Sequence, residues 1–530
     1  MKLSRSFQYG MNYMKVFFLI LLNVSLLQAA AGQSTGYGIP DSLRQPKQEA
    51  HSFTLANVLQ SHMVIQQAKP LKLWGTAPAG APIHLQADWQ KEPATARADA
   101  NGKWMSQLPV PAATPGNFEA HSISVIHGED TLTLTDILIG EVWLCSGQSN
   151  MDMEMKANPP WLEGVIDFEK EIAAADHPSI RFINIEKKFT KAPQDEAKGS
   201  WQVVSPQTAG QLSGVAYYFG RELLQNLELP VGLVVSSFGG SAAQAWTSRD
   251  ALAADPLVKK HYLDPYDNSP QAKESLDSIK TLEKLFEVLA RPALLYNAMI
   301  HPLRNLSVKG FLWYQGEANK KDGSMYTNLQ AALIRGWRKD FGQGLLPFYY
   351  VQMTPYNWEE NDSTATYYAR LREAQEAVMQ QVENTGMAVT MDIGEPDNIH
   401  PRNKRDVGIR LSRLALHHTY GHQDLAYQGP RFTKFTVKES TVRLEFNPES
   451  IGSGLSTTDQ QAPRHFYLAG KEGVFYPAEA RIVNDQVWLH SAKVKKPVAV
   501  RYAFTNYPIT NFGNKEGLPA MPFRTDQWKE

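Results

Sequence analysis

Val142-Trp143-Leu144-Cys145-Ser146-Gly147-Gln148-Ser149-Asn150-Met151 sets a compact apolar strand directly ahead of a glycine turn and a serine. Three later stretches share that compact apolar form: Gly232-Leu233-Val234-Val235, Gly310-Phe311-Leu312-Trp313-Tyr314 and Phe348-Tyr349-Tyr350-Val351. Between them lie segments of helical period. Val215, Tyr218, Phe219 and Leu223 line one helix face before Pro230, and Leu329, Leu333 and Trp337 line another. Apolar strands alternating with helices predict a parallel sheet covered on both faces, a three-layer α/β/α domain over residues 136–427.

Outward from this core the rhythm changes. From Phe53 to Thr135 short strands (Leu71-Lys72-Leu73-Trp74, Ile83-His84-Leu85, Trp104-Met105, Ile123-Ser124-Val125) alternate with turn signals at Pro78, Gly80, Asn101-Gly102 and Gly128. That pattern predicts a β-sandwich module over 52–135. Val442, Leu444 and Phe446 alternate with polar residues, and Val498, Val500, Tyr502 and Phe504 alternate with Ala499, Arg501 and Ala503, which predicts a second β module over 428–530. A chain of 530 residues exceeds what one core usually organises, in keeping with this division.

At the amino terminus Lys2, Arg5 and Lys15 precede an apolar run from Val16 to Leu27, followed by Ala29-Ala30-Ala31. The pattern predicts an export signal over 1–31, with translation starting at Met1, Met11 or Met14, then a polar linker over 32–51. The run is interrupted by Asn23 and Ser25 and is too short for a membrane span. A periplasmic or extracellular location follows, without stable membrane insertion. The lone cysteine, Cys145, means the exported chain holds together by its cores and not by internal disulfides. Lys plus Arg number 53 against 54 Asp plus Glu, so no strong field favours nucleic acid as partner. Nothing in the sequence sets the oligomeric state.

In an open parallel sheet, ligands bind beyond the carboxyl ends of the strands. Gly147-Gln148-Ser149-Asn150-Met151 occupies one such place and can present Ser149 from the sheet edge. It differs from the G-x-S-x-G elbow because Met151 stands where the second glycine would be, and a serine in such a turn is commonly a helix cap. Ser237-Phe238-Gly239-Gly240-Ser241 offers backbone N–H donors to an oxyanion, or is a plain turn. Trp313-Tyr314-Gln315-Gly316-Glu317-Ala318-Asn319 brings amides and a carboxylate to the same edge; Glu317 is read as a tie between loops. A serine nucleophile needs a base and a group that orients it, and Asp397-Asn398-Ile399-His400 supplies both, ahead of the competing carboxylates Asp392 and Glu395. His418 and His422 lack a third ligand, so no metal site is expected, and His301 reads as structural.

Taken in order, Gly147-Gln148-Ser149-Asn150-Met151, Gly239-Gly240, Trp313-Tyr314-Gln315-Gly316-Glu317 and Asp397-x-x-His400 resemble the blocks of SGNH hydrolases, and more narrowly the sialate O-acetylesterase family. Leu55-Ala56-Asn57-Val58-Leu59, Met63-Val64-Ile65-Gln66-Gln67 and Trp74-Gly75-Thr76 resemble its N-terminal module, and Gly517-Leu518-Pro519-Ala520 with Pro522-Phe523-Arg524 its C-terminus. The resemblance implies a flavodoxin-like SGNH domain and a serine esterase acting on acetylated carbohydrate without a cofactor. It implies Ser149 as nucleophile, His400 as base and acid, and Asp397 as its orienter. It implies an oxyanion hole from the Ser149 N–H, a Gly239 or Gly240 donor and a side-chain amide. The wider SGNH class takes that amide from an asparagine in a Gly-x-Asn context; here Gln315 is assigned, with Asn319 in reserve. Trp246 is a candidate wall for the acetyl group or platform for the sugar, with core packing as its alternative. The acetylated sugar is left open among sialic acids, xylan and pectic glycans, with discrimination in loops such as Asn158 to Glu163 and Asp255 to Glu274. A lipid or aryl esterase and a non-catalytic glycan-binding protein are the competing readings.

Overall fold

The computed structural model describes residues 52–357 and 365–528. The expected export signal and linker lie outside the described residues. The described residues belong to one compact unit.

Alternation along the strands builds its middle. Successive side chains of a strand point to opposite faces, so Trp143 and Cys145 face one layer and Val142 and Leu144 the other. The first pair packs with Val215, Phe219 and Leu411 of helices Gly214–Leu227 and Lys404–His418. The second lies in the core that holds Leu329, Leu333 and Trp337 of Met325–Phe341 and Leu371 of Tyr367–Gln381. Burying each such apolar side chain contributes about 1.5–3 kcal/mol. Helix Gly214–Leu227 starts where the Ser213 hydroxyl accepts the Ala216 N–H and stops at Glu228, with φ of 54°, two residues before Pro230.

Parallel strands hydrogen-bond in the order His177–Asn184, Val231–Ser237, Asp130–Gly147, Gly310–Tyr314, Phe348–Val351, Thr385–Ala388. Trp201–Val204 adds an antiparallel edge. After Asp130–Gly147 the chain fills one side of the sheet and then the other. The carboxyl end of that strand is therefore the topological switch point, where a crevice opens for ligand.

The N-terminal module is a sandwich as expected, with Thr54–Leu55, Leu71–Thr76 and Lys103–Leu108 in one sheet and Pro82–Ala87, Ala94–Arg97 and His121–His127 in the other. Leu73, Ile83, Leu85, Ile123 and Val125 are fully buried between them. It is joined to the catalytic sheet by one long strand, against which Val64–Gln66 also pairs in parallel. Asp130–Gly147 runs for 18 residues, pairing first with His121–His127 and then with the parallel strands. The expected boundary between residues 135 and 136 falls inside it. Asp136 there has a φ of 53°, and its carboxylate is held by Arg181 and His62 at 2.6 Å each.

The C-terminal strands form antiparallel sheets, with Val442, Leu444 and Phe446 inward. The second alternation does not hold: Ala499, Val500, Tyr502, Ala503 and Phe504 are all buried and Val498 is exposed. The small side chains of Ala499 and Ala503 let this strand be covered on both faces. The module also grips the catalytic domain. Arg372, fully buried on helix Tyr367–Gln381, donates to the carbonyls of Met353, Thr505 and Asn506, and Thr510 N–H donates to Met391 O ahead of the His400 loop.

Candidate active site

Ser149 opens a single helical turn, Ser149–Asp152, straight after its strand. The turn depends on Gly147, whose φ is 143° and where a Cβ would stand 2.2 Å from Tyr314 O. Asp152, one turn on, ties the nucleophile to its neighbours, accepting from the Ser237 hydroxyl at 2.9 Å and from Lys187 at 2.7 Å. His400 approaches from the loop after Thr385–Ala388, and its Nε2 lies 2.8 Å from Ser149 Oγ, hydrogen-bond distance for proton transfer. Gly239 packs against Ser149, with room for a Cβ 3.6 Å from that of the serine. The backbone N–H groups of Ser149, Gly239 and Gly240 donate to no acceptor among the described residues. Backbone donors left free beside a serine–histidine pair can receive an oxyanion.

Not every expected residue joins this group. Asp397 is exposed and makes no hydrogen bond to His400. The two competing carboxylates are engaged elsewhere. Asp392 is held by both guanidinium nitrogens of Arg410, at 2.8 and 2.6 Å, and Glu395 accepts from Arg402 N–H and the Asn398 amide. Gln315 is buried, and its amide donates to Asn319 Oδ1, Gln148 Oε1 and Ser241 O, while its Oε1 accepts from the Tyr326 hydroxyl. Asn319 donates to Gln244 and Asp322 and accepts from Ala243 N–H. Both amides are spent fastening the Gly239–Gln244 loop to the sheet edge. Trp246 makes no wall: it is fully buried, its indole N–H donates to Ser241 Oγ, and it meets Trp313 edge-on. The apolar ring is simply worth more in the core than at a wet cleft. His301 bonds Gln194 O and Arg304, and His418 packs on Tyr427.

Behind the pair lies a buried polar relay that joins Glu317, read above as a tie between loops, to Asn150 and to Lys404, which no motif includes. The Asn150 amide donates to Glu317 Oε1 at 2.5 Å and to Ile399 O at 3.1 Å, and its oxygen accepts from Lys404 Nζ at 2.6 Å. Lys404 also donates to Pro401 O at 2.7 Å. One asparagine beside the nucleophile thus holds both flanks of His400. A sequence signal for Lys404 did exist: with Val407, Gly408, Leu411 and Leu414 it sits on the buried stripe of its helix, where a lysine needs a partner.

Comparison with known proteins bears on what this arrangement serves. A family model described as carbohydrate esterase, sialic acid-specific acetylesterase matches residues 139–417, more than half of the chain. The chain belongs to this family. The esterase is 30% identical to a sialate O-acetylesterase of Rattus norvegicus, over 89% of this chain and 94% of that one. It is 29% identical to a sialate O-acetylesterase of Homo sapiens, over 93% and 96%. A crystal structure of a carbohydrate acetylesterase from Xanthomonas citri superposes with a TM-score of 0.77 at 34% identity, over 90% of this chain and 100% of that one. The esterase is a carboxylic ester hydrolase for carbohydrate O-acetyl groups. No helix of the described residues is long and apolar enough to cross a membrane.

The electrostatics of the esterase's site give a pH expectation. Burial, and then the Lys404 cation, push the His400 imidazole down from 6.5 to about 4. A base must be neutral to accept the serine proton, so activity is lost as pH falls through that value. The acid limb of kcat/KM is expected near pH 4, well below an unperturbed histidine, and a limb between pH 6 and 7 is the contrary result.

Proposed function

We propose that Ser149 is the nucleophile of an exported esterase that removes acetyl groups from glycans through an acetyl-serine intermediate. The observation that carries the reading is the 2.8 Å contact between His400 Nε2 and Ser149 Oγ beside free backbone N–H groups. His400 takes the hydroxyl proton as Ser149 Oγ attacks the acetyl carbonyl. The N–H groups of Ser149, Gly239 and Gly240 receive the tetrahedral oxyanion, each donor lowering the barrier by about 3 kcal/mol. The imidazolium then passes its proton to the departing sugar oxygen. In the second half His400 deprotonates a water, which attacks the acetyl-serine and releases acetate.

Asp397 is assigned to the imidazolium. It is the unengaged carboxylate of the loop, three residues from His400, and the charge it would meet arises only once His400 takes the proton. The basic and apolar stretch from Lys2 to Leu27, followed by Ala29 to Ala31, supports export. The burial of Trp246 removes the apolar wall that a lipid esterase would use. The named activities of the relatives, sialate O-acetylesterase and carbohydrate acetylesterase, support acetylated sialic acid or another acetylated carbohydrate as substrate.

The test is acetate release from O-acetylated sialic acid, xylan and pectin by the wild type and by Asp397→Ala. Release by the wild type, with kcat about 100-fold lower or more in the variant, is the expected result. Release within twofold of wild type in the variant would leave Ser149 and His400 as a dyad, and no release from any substrate would remove the esterase reading.

A further inference from the structure

Beside the Gly239–Gln244 loop the structure holds a cavity of about 330 Å³ that the chemistry at Ser149 does not use. Its lining includes Gln244, Tyr262, Tyr266, Glu287 and Arg291. One loop leads from the nucleophile to the cavity's edge. Gly239 touches Ser149, and Gly240 lies under the ring of Phe286, where a Cβ would meet the ring at 2.3 Å. Phe286 is 45% exposed and precedes Glu287 on helix Leu282–Val288. Gln244 then pins the cavity to the loop: its amide donates to Ala290 O, its carbonyl accepts from Ala293 N–H, and its side-chain oxygen accepts from Asn319.

The lining suits a sugar ring. Tyrosine faces pack against C–H surfaces, and side-chain amide, hydroxyl and carboxylate groups pair with hydroxyls. The Tyr266 hydroxyl has no partner among the described residues. The charges say which sugar. Arg291, 4% exposed, already meets Glu274 at 2.5 Å and Glu287 at 2.9 Å, and its buried Nε is the donor left over. Lys284 meets the same two carboxylates at 2.9 and 2.6 Å, and Arg249 meets Asp267 at 2.7 Å. Lys284, Arg249 and Arg291 are thus matched by carboxylates, so apart from the His261 ring, which also lines the cavity, a sugar carboxylate would face Glu287 with no counter-charge of its own.

We propose that this cavity is a subsite for an uncharged sugar residue of the glycan chain, adjoining the acetylated residue at Ser149 across the Phe286 ring. The proposal rests on the reading of Ser149 as a glycan-esterase nucleophile and names the class of chain it serves, a neutral oligosaccharide in preference to a sialic acid oligomer. The test is calorimetric titration of the full chain carrying Ser149→Ala with acetylated xylo-, manno- and gluco-oligosaccharides, and with O-acetylated sialic acid oligomers. One neutral oligosaccharide is expected to bind at least about tenfold more tightly than the sialic acid oligomers. Tyr266→Ala is expected to weaken it about tenfold and Tyr266→Phe by less, the milder variant guarding against misfolding. Equal binding in Tyr266→Ala, tighter binding of the sialic acid oligomers, or no binding of any neutral chain would overturn the proposal. Binding of a neutral chain in this pattern by a wild type that releases no acetate would uphold the subsite and remove the esterase reading alone.

Discussion

Acetate release by Ser149→Ala is expected to fall by at least about 1,000-fold, with the fold intact. The hydroxyl has one side-chain partner in the structure, His400 Nε2 at 2.8 Å, so its loss leaves no buried donor stranded and costs about 1 kcal/mol of stability or less. The chemical loss is large because no neighbour can substitute: Ser237 is bonded to Asp152 and Ser241 to Phe238 O. His400→Ala should fall about as far, and the double variant little further, since the two groups act in one step. The check is kcat for acetate release at matched thermal unfolding. Activity within about tenfold of wild type in Ser149→Ala would return the serine to the role of a turn residue.

Glu317→Gln is expected to destabilise the protein by about 3–5 kcal/mol. Burial raises the Glu317 carboxyl and lowers the Lys404 ammonium from 10.5 to about 7; each charge counteracts the other's shift, and Asn150 hydrogen-bonds to both. Neutralising Glu317 leaves Lys404 buried with only the Glu395 charge to offset its desolvation. Glu317→Gln combined with Lys404→Met removes both charges and should recover most of the loss, read as a coupling energy from urea unfolding of the four proteins. Strictly additive effects would show that the two do not form a pair. The lysine carries a pH signature. Its folded pKa lies below its unfolded one, so the folded state binds fewer protons between about pH 7 and 10.5, and this residue's contribution to stability rises with pH across that window. Lys404→Met should flatten that rise.

Part of this site is legible in the sequence. Period alone separates the two faces of the strand through Val142 and Leu144, and the glycine turns mark where the sheet edge opens. The contact between Ser149 and His400, 251 positions apart, rests on a pattern of motifs taken in order, because spacing cannot say which strand lies beside which. What stayed hidden depends on what lies across an interface. Trp246 reads as a platform from its place after the double glycine, yet Trp313 and Trp337 wait for it in the core. Gln315 has the right type for an oxyanion donor, but three acceptors surround its amide. Asn150 adjoins the nucleophile, but its partners, Glu317, Ile399 and Lys404, arrive from distant segments that spacing does not bring together.

The strand that runs unbroken from Asp130 to Gly147 makes the amino-terminal sandwich something other than a detachable accessory. A bead on a flexible string can be cut away or exchanged; a beam shared by two rooms cannot. The strand's first half pairs with residues made before it and its second half with strands of residues 177–388, made after it, so the two halves draw their register from opposite ends of the chain. The strand's pairing with the sandwich thus fixes its register on one side, and a chain begun at residue 136 would have to find the position of its own nucleophile without that template.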